Sequence, residues 1–313
     1  MHILVTGGAG FIGSHLIDAL MEQGHHVVCL DNFSSGRREF IAHRLEQGLK
    51  LVEGDLLNPN HIRKAIKGCD LVYHLAANPD VRRGAEDTNV HLGQNILATY
   101  NLLEEMRRQK IATIGFTSSS TVYGEAKEIP TPESYGPLVP ISLYGASKLA
   151  AEALISSYCH TFDLTAVLYR FANVVGPRST HGVTYDFVNK LRADPRQLEI
   201  LGDGTQKKSY LYIEDCIQAM LFAMDNRQDR VEIFNMGSQD WVDVRTIADI
   251  VAQEMNLSPS YVFTGGVDGG RGWKGDVKIM RLAIDKLRQM GWEPSCGSAE
   301  AIRRTARWII ESL

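Results

Sequence analysis

Short apolar and β-branched runs alternate along the first half of the chain with amphipathic segments of helical length. The pattern predicts strands at 2–6, 26–30, 49–53, 70–75, 111–117 and 165–170. It predicts helices at 13–23, 60–67, 90–108 and 144–161. Strands that alternate with helices in this way imply right-handed βαβ crossovers and a parallel, doubly wound sheet. The first half is therefore predicted to be a Rossmann-type α/β domain.

Beyond about residue 176 the alternation gives way to less regular, glycine-rich sequence, for example at 202–204 and 264–276. This half is expected to form a smaller α/β substrate lobe. The predicted division is a cofactor domain at 1–175, to which 209–238 return, and a substrate lobe at 176–208 and 239–313. Internal repeats and low-complexity tails are not evident, so the sequence does not indicate a scaffold.

Composition narrows the class of protein. The 313 residues are 44% apolar and 22% charged, with a net charge of −4 and no block of like charges, so no nucleic-acid or membrane partner is expected. Small anions can still bind in local basic pockets. We expect no signal peptide and no bilayer-spanning stretch of about 20 residues.

The five cysteines show no C-x-x-C spacing and stand mostly among apolar neighbours. Neither a disulfide framework nor a metal site is therefore expected, and the thiols are typical of a cytoplasmic protein. They are Cys29, Cys69, Cys159, Cys216 and Cys296.

A glycine motif joins the first predicted strand to the first predicted helix. Gly7, Gly10 and Gly13 would permit a tight turn, close approach of a pyrophosphate and close packing of helix on sheet. The helix N-terminus would add free N–H groups for phosphate. Asp31, at the end of the second strand, would accept hydrogen bonds from a ribose and repel a 2′-phosphate, which favours NAD over NADP. Arg37 and Arg38 are an alternative partner for that phosphate, but a solvated role is favoured.

Tyr144 and Lys148 stand four residues apart on a predicted helix and so share one face. A nearby ammonium favours the phenolate, which would let the tyrosine act as a general base. The strand that precedes this helix ends in the hydroxyl-rich run 117–120. Ligands bind at the carboxyl ends of such strands, so a serine here would hydrogen-bond the oxygen that the tyrosine deprotonates. Backbone capping is the alternative role for these serines.

Seven motifs in order carry a resemblance over nearly the whole chain. They are T-G-G-A-G-F-I-G at 6–13, D-N at 31–32, G-D-L at 54–56, H-L-A-A at 74–77, S-S-S-T-V-Y-G at 118–124, Y-G-A-S-K at 144–148 and N-V-V-G-P at 173–177. Together they resemble the extended short-chain dehydrogenase/reductase family, in its NAD-dependent sugar epimerase/dehydratase branch. Within that branch the chain is most similar to 4-epimerases that interconvert UDP-glucose and UDP-galactose.

The resemblance implies a set of site residues. Ser119, rather than Ser118 or Ser120, would touch the substrate oxygen beside Tyr144 and Lys148. Further cofactor contacts would come from Phe11, Ile12, Asn32, Ser35, Gly36, Asp55, Leu56, Leu75, Ala76, Ala77 and Asn95. Substrate contacts would come from Ser119, Ser120, Asn173, Val183, Lys208, Arg271 and Asp276.

The implied reaction begins when Tyr144 takes the proton of the sugar 4-hydroxyl while hydride passes to NAD⁺. The 4-keto sugar then turns over and receives the hydride on its other face. A 4,6-dehydratase is the main alternative, but such enzymes place a carboxylate beside the active-site serine or threonine, and 119–122 contain none. Other nucleotide-sugar epimerases, a 4-ketoreductase or net oxidoreductase, and a non-catalytic NAD-binding protein are further alternatives.

Two departures from the family pattern concern the substrate. Lys208-Ser209 stands where relatives usually carry Arg-Asp, which keeps positive charge but loses the bidentate arginine geometry. Arg271 and Asp276 are also further apart than usual. A solvated surface pair is the alternative reading of Lys207 and Lys208, and Met280 is either a pocket residue or simple core. Relatives are commonly homodimers, which here would use helices 90–108 and 144–161.

Overall fold

The computed structural model describes residues 1–312. The chain forms two compact units. Unit 1 consists of Met1–Val122, Leu143–Arg170 and Met220–Phe234, and unit 2 of Tyr123–Ser142, Phe171–Ala219 and Asn235–Leu313. The sequence-based boundaries keep 1–175 and 209–238 with the cofactor domain. Within those ranges, unit 2 contains 123–142, 171–175, 209–219 and 235–238. Within residues 1–312, no helix is both long and apolar enough to cross a bilayer.

A seven-stranded sheet is the framework of unit 1. Its strands are β1 (His2–Thr6), β2 (His26–Asp31), β3 (Lys50–Glu53), β4 (Leu71–His74), β5 (Thr113–Ser119), β6 (Thr165–Phe171) and, later in the chain, β11 (Val231–Met236). Their order is β11-β6-β5-β4-β1-β2-β3. β1 pairs in parallel with both β2 and β4, so the strand order reverses on either side of it, as in a doubly wound sheet.

Helices connect these strands in unit 1. They are α1 (Phe11–Glu22), α2 (Ala42–Leu45), α3 (Pro59–Ile66), α4 (Arg83–Glu86), α5 (Asn89–His91), α6 (Ala98–Gln109) and α7 (Leu143–Phe162). Apolar side chains of α3, α6 and α7 form one buried cluster with the sheet, in which Leu4, Leu102 and Ile155 are wholly buried. Burial of this apolar area is the main force that holds the layers together.

The predicted doubly wound α/β class is confirmed, and every predicted strand and helix of the first half lies within a few residues of an observed one. One predicted helix differs in kind. Residues 90–108 are interrupted by a π-helical turn, Leu92–Leu97, between α5 and α6. Gly93 in this turn has weak α-helical propensity, and such turns occur often at functional sites.

Unit 2 is more regular than its glycine-rich sequence indicates. Its helices are α8 (Val183–Ala193), α10 (Val244–Glu254), α11 (Asp285–Met290) and α12 (Ser298–Ser312), and the first part of α9 (Ile213–Asp225). Its strands are β7 (Asn173–Val175), β8 (Gln197–Ile200), β9 (Lys207–Lys208), β10 (Tyr210–Tyr212), β12 (Val242–Asp243), β13 (Ser260–Phe263) and β14 (Ile279–Met280). Helices α8, α10 and α12 share a second apolar core with β7, β8, β10 and β12.

Candidate active site

The glycine turn after β1 is closed to side chains. Gly7 has φ +69°, and a Cβ there would lie 2.7 Å from the backbone nitrogen of Ala76. A Cβ on Gly13 would lie 2.2 Å from the carbonyl oxygen of Gly7. Gly10 is the N-cap of α1 and no side chain caps that helix, so the N–H groups of Phe11 and Ile12 open the first turn. This tight turn without side chains, at a helix N-terminus, fits a dinucleotide pyrophosphate.

Asp31 ends β2 beside the glycine turn. Its carboxylate accepts hydrogen bonds from the backbone nitrogens of Ala9, at 2.9 Å, and Phe33, at 2.8 Å. Burial raises the pKa of Asp31, while these two N–H groups lower it. Arg37 and Arg38 are half-exposed and form ion pairs with Glu39 and Glu53. The fixed negative charge therefore stands at the predicted ribose position, while both arginines have acidic partners at the surface.

The other predicted cofactor residues surround the same edge of the sheet. The Asn32 amide donates to the Asp55 carboxylate at 3.0 Å, and Leu56 is buried beside them. Ser35 and Gly36 follow Asp31, and a Cβ on Gly36 would lie 2.8 Å from Asp31 Oδ1. The segment Leu75 to Ala77 leaves β4 against the glycine turn, where Leu75 N–H donates to Thr6 O at 3.1 Å. These residues thus follow the carboxyl ends of the parallel strands β2, β3 and β4.

Ser119, Tyr144 and Lys148 meet between the end of β5 and the first turns of α7. Ser119 shares a hydrogen bond with the Tyr144 hydroxyl. The Lys148 ammonium is buried, donates to the Thr117 carbonyl at 2.7 Å, and lies 5.9 Å from the centroid of the Tyr144 ring. Thr121 adds a donor to Ser119 Oγ at 3.0 Å. The three side chains predicted to carry the chemistry are therefore neighbours.

Burial perturbs both ionisable groups of this triad in the direction that favours the uncharged form. It raises the pKa of Tyr144 to about 12, although the Ser119 hydrogen bond opposes the rise. It lowers the pKa of Lys148 to about 7, although the carboxylate of Glu152 opposes the fall. The first proton of the Tyr144–Lys148 pair is therefore lost near neutral pH, and with these two pKa values it leaves Lys148 rather than Tyr144.

A buried ion pair supports Lys148 from one turn further along α7. Arg170 on β6 donates from Nε to Glu152 Oε1 at 3.0 Å and from Nη2 to Oε2 at 2.7 Å, and Ser118 donates to the same carboxylate. Sequence reasoning missed Glu152 and Arg170. The spacing of 144, 148 and 152, one residue per turn on one helix face, was the available signal for Glu152. Because Ser118 is committed to Glu152, Ser119 is the serine that faces Tyr144.

Asn95 lies in the π-helical turn and is buried. Its Oδ1 accepts from the Asn78 backbone nitrogen at 2.8 Å, and its Nδ2 donates to Ser147 Oγ at 2.9 Å. Ser147 in turn donates to the carbonyl of Tyr144 at 2.7 Å. The structure therefore links Asn95 to the first turn of α7.

Three predicted substrate residues form a charged cluster in unit 2. Lys208 pairs with the buried carboxylate of Asp276 at 2.6 Å, and Arg271 donates to the Asp276 carbonyl at 2.6 Å. Arg271 also pairs with Glu125, a residue that sequence reasoning did not single out. The Lys208 ammonium lies 5.5 Å from the Trp273 ring centroid and is mostly buried, so it is not a freely solvated cation.

The remaining predicted substrate residues lie on separate elements. Ser120 begins the 3₁₀ turn Ser120–Tyr123 in unit 1. In unit 2, the Asn173 amide donates to the Ser209 carbonyl at 3.3 Å, and Val183 begins α8. Met280 is buried and pairs with Lys208 across β14 and β9. The structure therefore clusters Lys208, Arg271 and Asp276 but does not join Asn173 or Val183 to them by a hydrogen bond.

Comparison with known proteins identifies the class to which this fold and site belong. The model of the NAD dependent epimerase/dehydratase family matches residues 3–237. A UDP-glucose 4-epimerase of Mycolicibacterium smegmatis is 32% identical over 319 residues, which cover 99% of this chain and 98% of the relative. The chain therefore belongs to the NAD-dependent epimerase/dehydratase family, in the extended short-chain dehydrogenase/reductase group, and NAD is its cofactor.

Solved structures resemble the whole chain. A UDP-galactose 4-epimerase is 44% identical, with a TM-score of 0.89 and full coverage of both chains. A UDP-glucuronic acid 4-epimerase from Bacillus cereus, solved with UDP-glucuronic acid and NAD, is 30% identical, with a TM-score of 0.90 and full coverage of both chains. The similarity thus extends to enzymes with two different sugar substrates.

Proposed function

We propose that the protein is an NAD-dependent 4-epimerase that interconverts UDP-glucose and UDP-galactose. One observation carries the proposal: Ser119 contacts Tyr144, and Lys148 is buried beside them. Relatives named for this activity add support. The absence of a carboxylate at 119–122 favours epimerisation over 4,6-dehydration, because elimination of water needs an added acid and base there.

Each residue of the triad has one task in this proposal. Tyr144 takes the proton of the sugar 4-hydroxyl and later returns it. Ser119 holds the same oxygen through its hydroxyl, and Lys148 stabilises the phenolate by its charge. NAD, held by the glycine turn and Asp31, supplies the hydride acceptor and donor. Because the sugar carbon is first oxidised and then reduced, a full turnover consumes no second substrate.

The charged cluster of unit 2 is the proposed site for the diphosphate of the nucleotide sugar. Lys208 and Arg271 would supply two cations, and the carboxylate of Asp276 would meet the nucleoside ribose. The charges of Lys208 and Arg271 are balanced by Asp276 and Glu125. Substrate must therefore exchange these ion pairs for contacts with phosphate oxygens, which makes this cluster a determinant of KM.

A panel of nucleotide sugars tests the function. The purified protein is incubated separately with UDP-galactose, UDP-N-acetylglucosamine and UDP-glucuronic acid, and the product isomers are resolved by NMR. The proposal predicts the fastest interconversion with UDP-galactose. Faster turnover of UDP-glucuronic acid would assign the protein to the uronate 4-epimerases, and loss of water from any substrate would assign it to the dehydratases.

We also propose a homodimer built from α6, α7 and the π-helical turn. These elements carry large apolar side chains that remain about half exposed, among them Leu92, Leu97, Tyr100 and Phe162. Several large exposed apolar side chains on neighbouring helices are a feature of subunit interfaces. Light scattering after size-exclusion chromatography should give twice the mass of one chain, and Leu97→Glu should shift the protein toward the monomer. A monomeric wild type would contradict the proposal.

A further inference from the structure

His74, the last residue of β4, is buried and hydrogen-bonded through both ring nitrogens. Nδ1 lies 2.8 Å from the Thr6 hydroxyl, and Nε2 lies 2.9 Å from the Thr99 hydroxyl. The proposed chemistry gives this imidazole no task. A buried ring with two specific partners nevertheless fixes the elements to which those partners belong.

The direction of each hydrogen bond follows from the number of protons available. Thr99 donates its one hydroxyl proton to the Asn95 carbonyl at 2.6 Å, so it must accept from His74 Nε2–H. A neutral ring then accepts at Nδ1, from the hydroxyl of Thr6. Thr6 Oγ1 in turn accepts from the Ala76 backbone N–H at 3.3 Å. The result is one continuous chain of donors and acceptors from Ala76 to Asn95.

This chain joins three segments that the NAD site uses. Thr6 immediately precedes Gly7 of the glycine turn, Ala76 belongs to the segment that leaves β4, and Asn95 lies in the π-helical turn. The first two segments touch through their backbones, since a Cβ on Gly7 would lie 2.7 Å from Ala76 N. A small movement of the imidazole would therefore displace all three segments.

The ring is also held in one charge state. Burial, and after it the positive charge of Lys148, lowers the pKa of His74 to about 3. Phe116 packs at a ring-centroid distance of 5.5 Å from the imidazole. The ring therefore stays neutral far below neutral pH, and its two hydrogen bonds fix it as the Nε2–H tautomer.

We propose that His74 is a positioning residue of the NAD site, whose neutral Nε2–H imidazole fixes the glycine turn, the segment 75–77 and the Asn95 turn relative to one another. The Asn95 amide donates to Ser147, and Ser147 donates to the Tyr144 carbonyl, so the same network also positions the backbone of Tyr144. The inference rests on the proposed placement of NAD along these segments and is independent of the sugar.

Substitutions at Thr99 test this hydrogen-bond chain with little change in side-chain volume. Thr99→Val keeps the shape but removes the hydroxyl, whereas Thr99→Ser keeps the hydroxyl and is the control. NAD affinity is measured by calorimetry on protein freed of cofactor. We expect Thr99→Val to raise the Kd for NAD about tenfold, the scale of one lost buried hydrogen bond, and Thr99→Ser to stay near wild type. If Thr99→Val has a lower melting temperature but the same Kd for NAD as wild type, the role of the network is purely structural and the inference is overturned.

Nitrogen NMR of the imidazoles tests the charge state and the tautomer. The His74 signals are assigned by their loss in His74→Phe. We expect a protonated Nε2 and an unprotonated Nδ1, unchanged between about pH 8 and pH 5, because the pKa of His74 lies near 3. An Nδ1–H tautomer, or titration within this range, would contradict the inference. Wild type that fails to bind NAD would also overturn it, whereas NAD binding without epimerisation would refute only the proposed sugar chemistry.

Discussion

Replacement of Glu152 by glutamine should destabilise unit 1, because it removes the charge from a buried carboxylate that accepts three hydrogen bonds. Two come from the Arg170 guanidinium, at 3.0 and 2.7 Å, and one from Ser118. Both members of the ion pair are almost fully buried. Loss of one partner from such a pair costs roughly 3–5 kcal/mol, because the other charge stays buried. Glutamine keeps the shape and one acceptor oxygen, so we expect a loss of about 3 kcal/mol.

The assay must report on unit 1. All four tryptophans, at 241, 273, 292 and 308, lie in unit 2, so tryptophan fluorescence would follow the wrong part of the molecule. Urea unfolding followed by circular dichroism, with hydrogen exchange of the amides of α7, measures the relevant stability. Glu300→Gln is the matched control, because Glu300 pairs with Arg304 at a half-exposed helix position and should cost less than about 1 kcal/mol. Equal effects of the two substitutions would refute the reasoning.

The same variant should change the pH dependence of activity. Glu152 opposes the fall in the pKa of Lys148, so its replacement should lower that pKa from its value of about 7. The Tyr144–Lys148 pair then loses its first proton at lower pH, and the acid limb of the profile of kcat/KM moves to lower pH. The plateau should also fall, because the ammonium form that stabilises the phenolate is less favoured. An acid limb that stays in place would show that Glu152 does not act on Lys148.

Three further substitutions test separate parts of the site. Tyr144→Phe should lower kcat by at least about 10²-fold, the typical contribution of a general base, while NAD binding measured by calorimetry is unchanged. Near-normal turnover would remove Tyr144 from the mechanism. Asp31→Ala should raise the Kd for NAD and reduce the preference for NAD over NADP, because a charge that repels the 2′-phosphate is lost. An unchanged ratio of the Kd for NADP to the Kd for NAD would contradict this role of Asp31. Glu125→Gln should lower the KM for UDP-galactose severalfold at constant kcat, because Glu125 competes with the diphosphate for Arg271. Glu128→Gln, at an exposed position, is the control and should leave KM unchanged. A wild-type KM in Glu125→Gln would refute the competition.

Local patterns were sufficient to predict most of unit 1. The apolar runs that became β1 to β6 and the amphipathic segments that became α1, α3 and α7 carry their periodicity within a few residues. The glycine turn and the 144–148 spacing are equally local. The π-helical turn at Leu92–Leu97 was not predicted, because its sequence has the same apolar spacing as an ordinary helix.

Contacts between distant residues could not be predicted in this way. Glu152 and Arg170 meet because α7 packs on β6, and Lys208 meets Asp276 across 68 positions of chain. His74 could be recognised in the motif 74–77, but its two hydroxyl partners lie 68 and 25 positions away. Periodicity fixes the buried face of an element, whereas the identity of each polar partner depends on how the elements pack.

Incubation of the purified protein with UDP-galactose tests the central claim most directly. Proton NMR of the anomeric region follows the sugar, and absorbance at 340 nm follows free NADH. The proposed function predicts that UDP-glucose signals grow to a constant ratio of the two isomers with no net change in absorbance. Accumulation of NADH in proportion to substrate, or the absence of any isomer of a UDP-hexose, would contradict it.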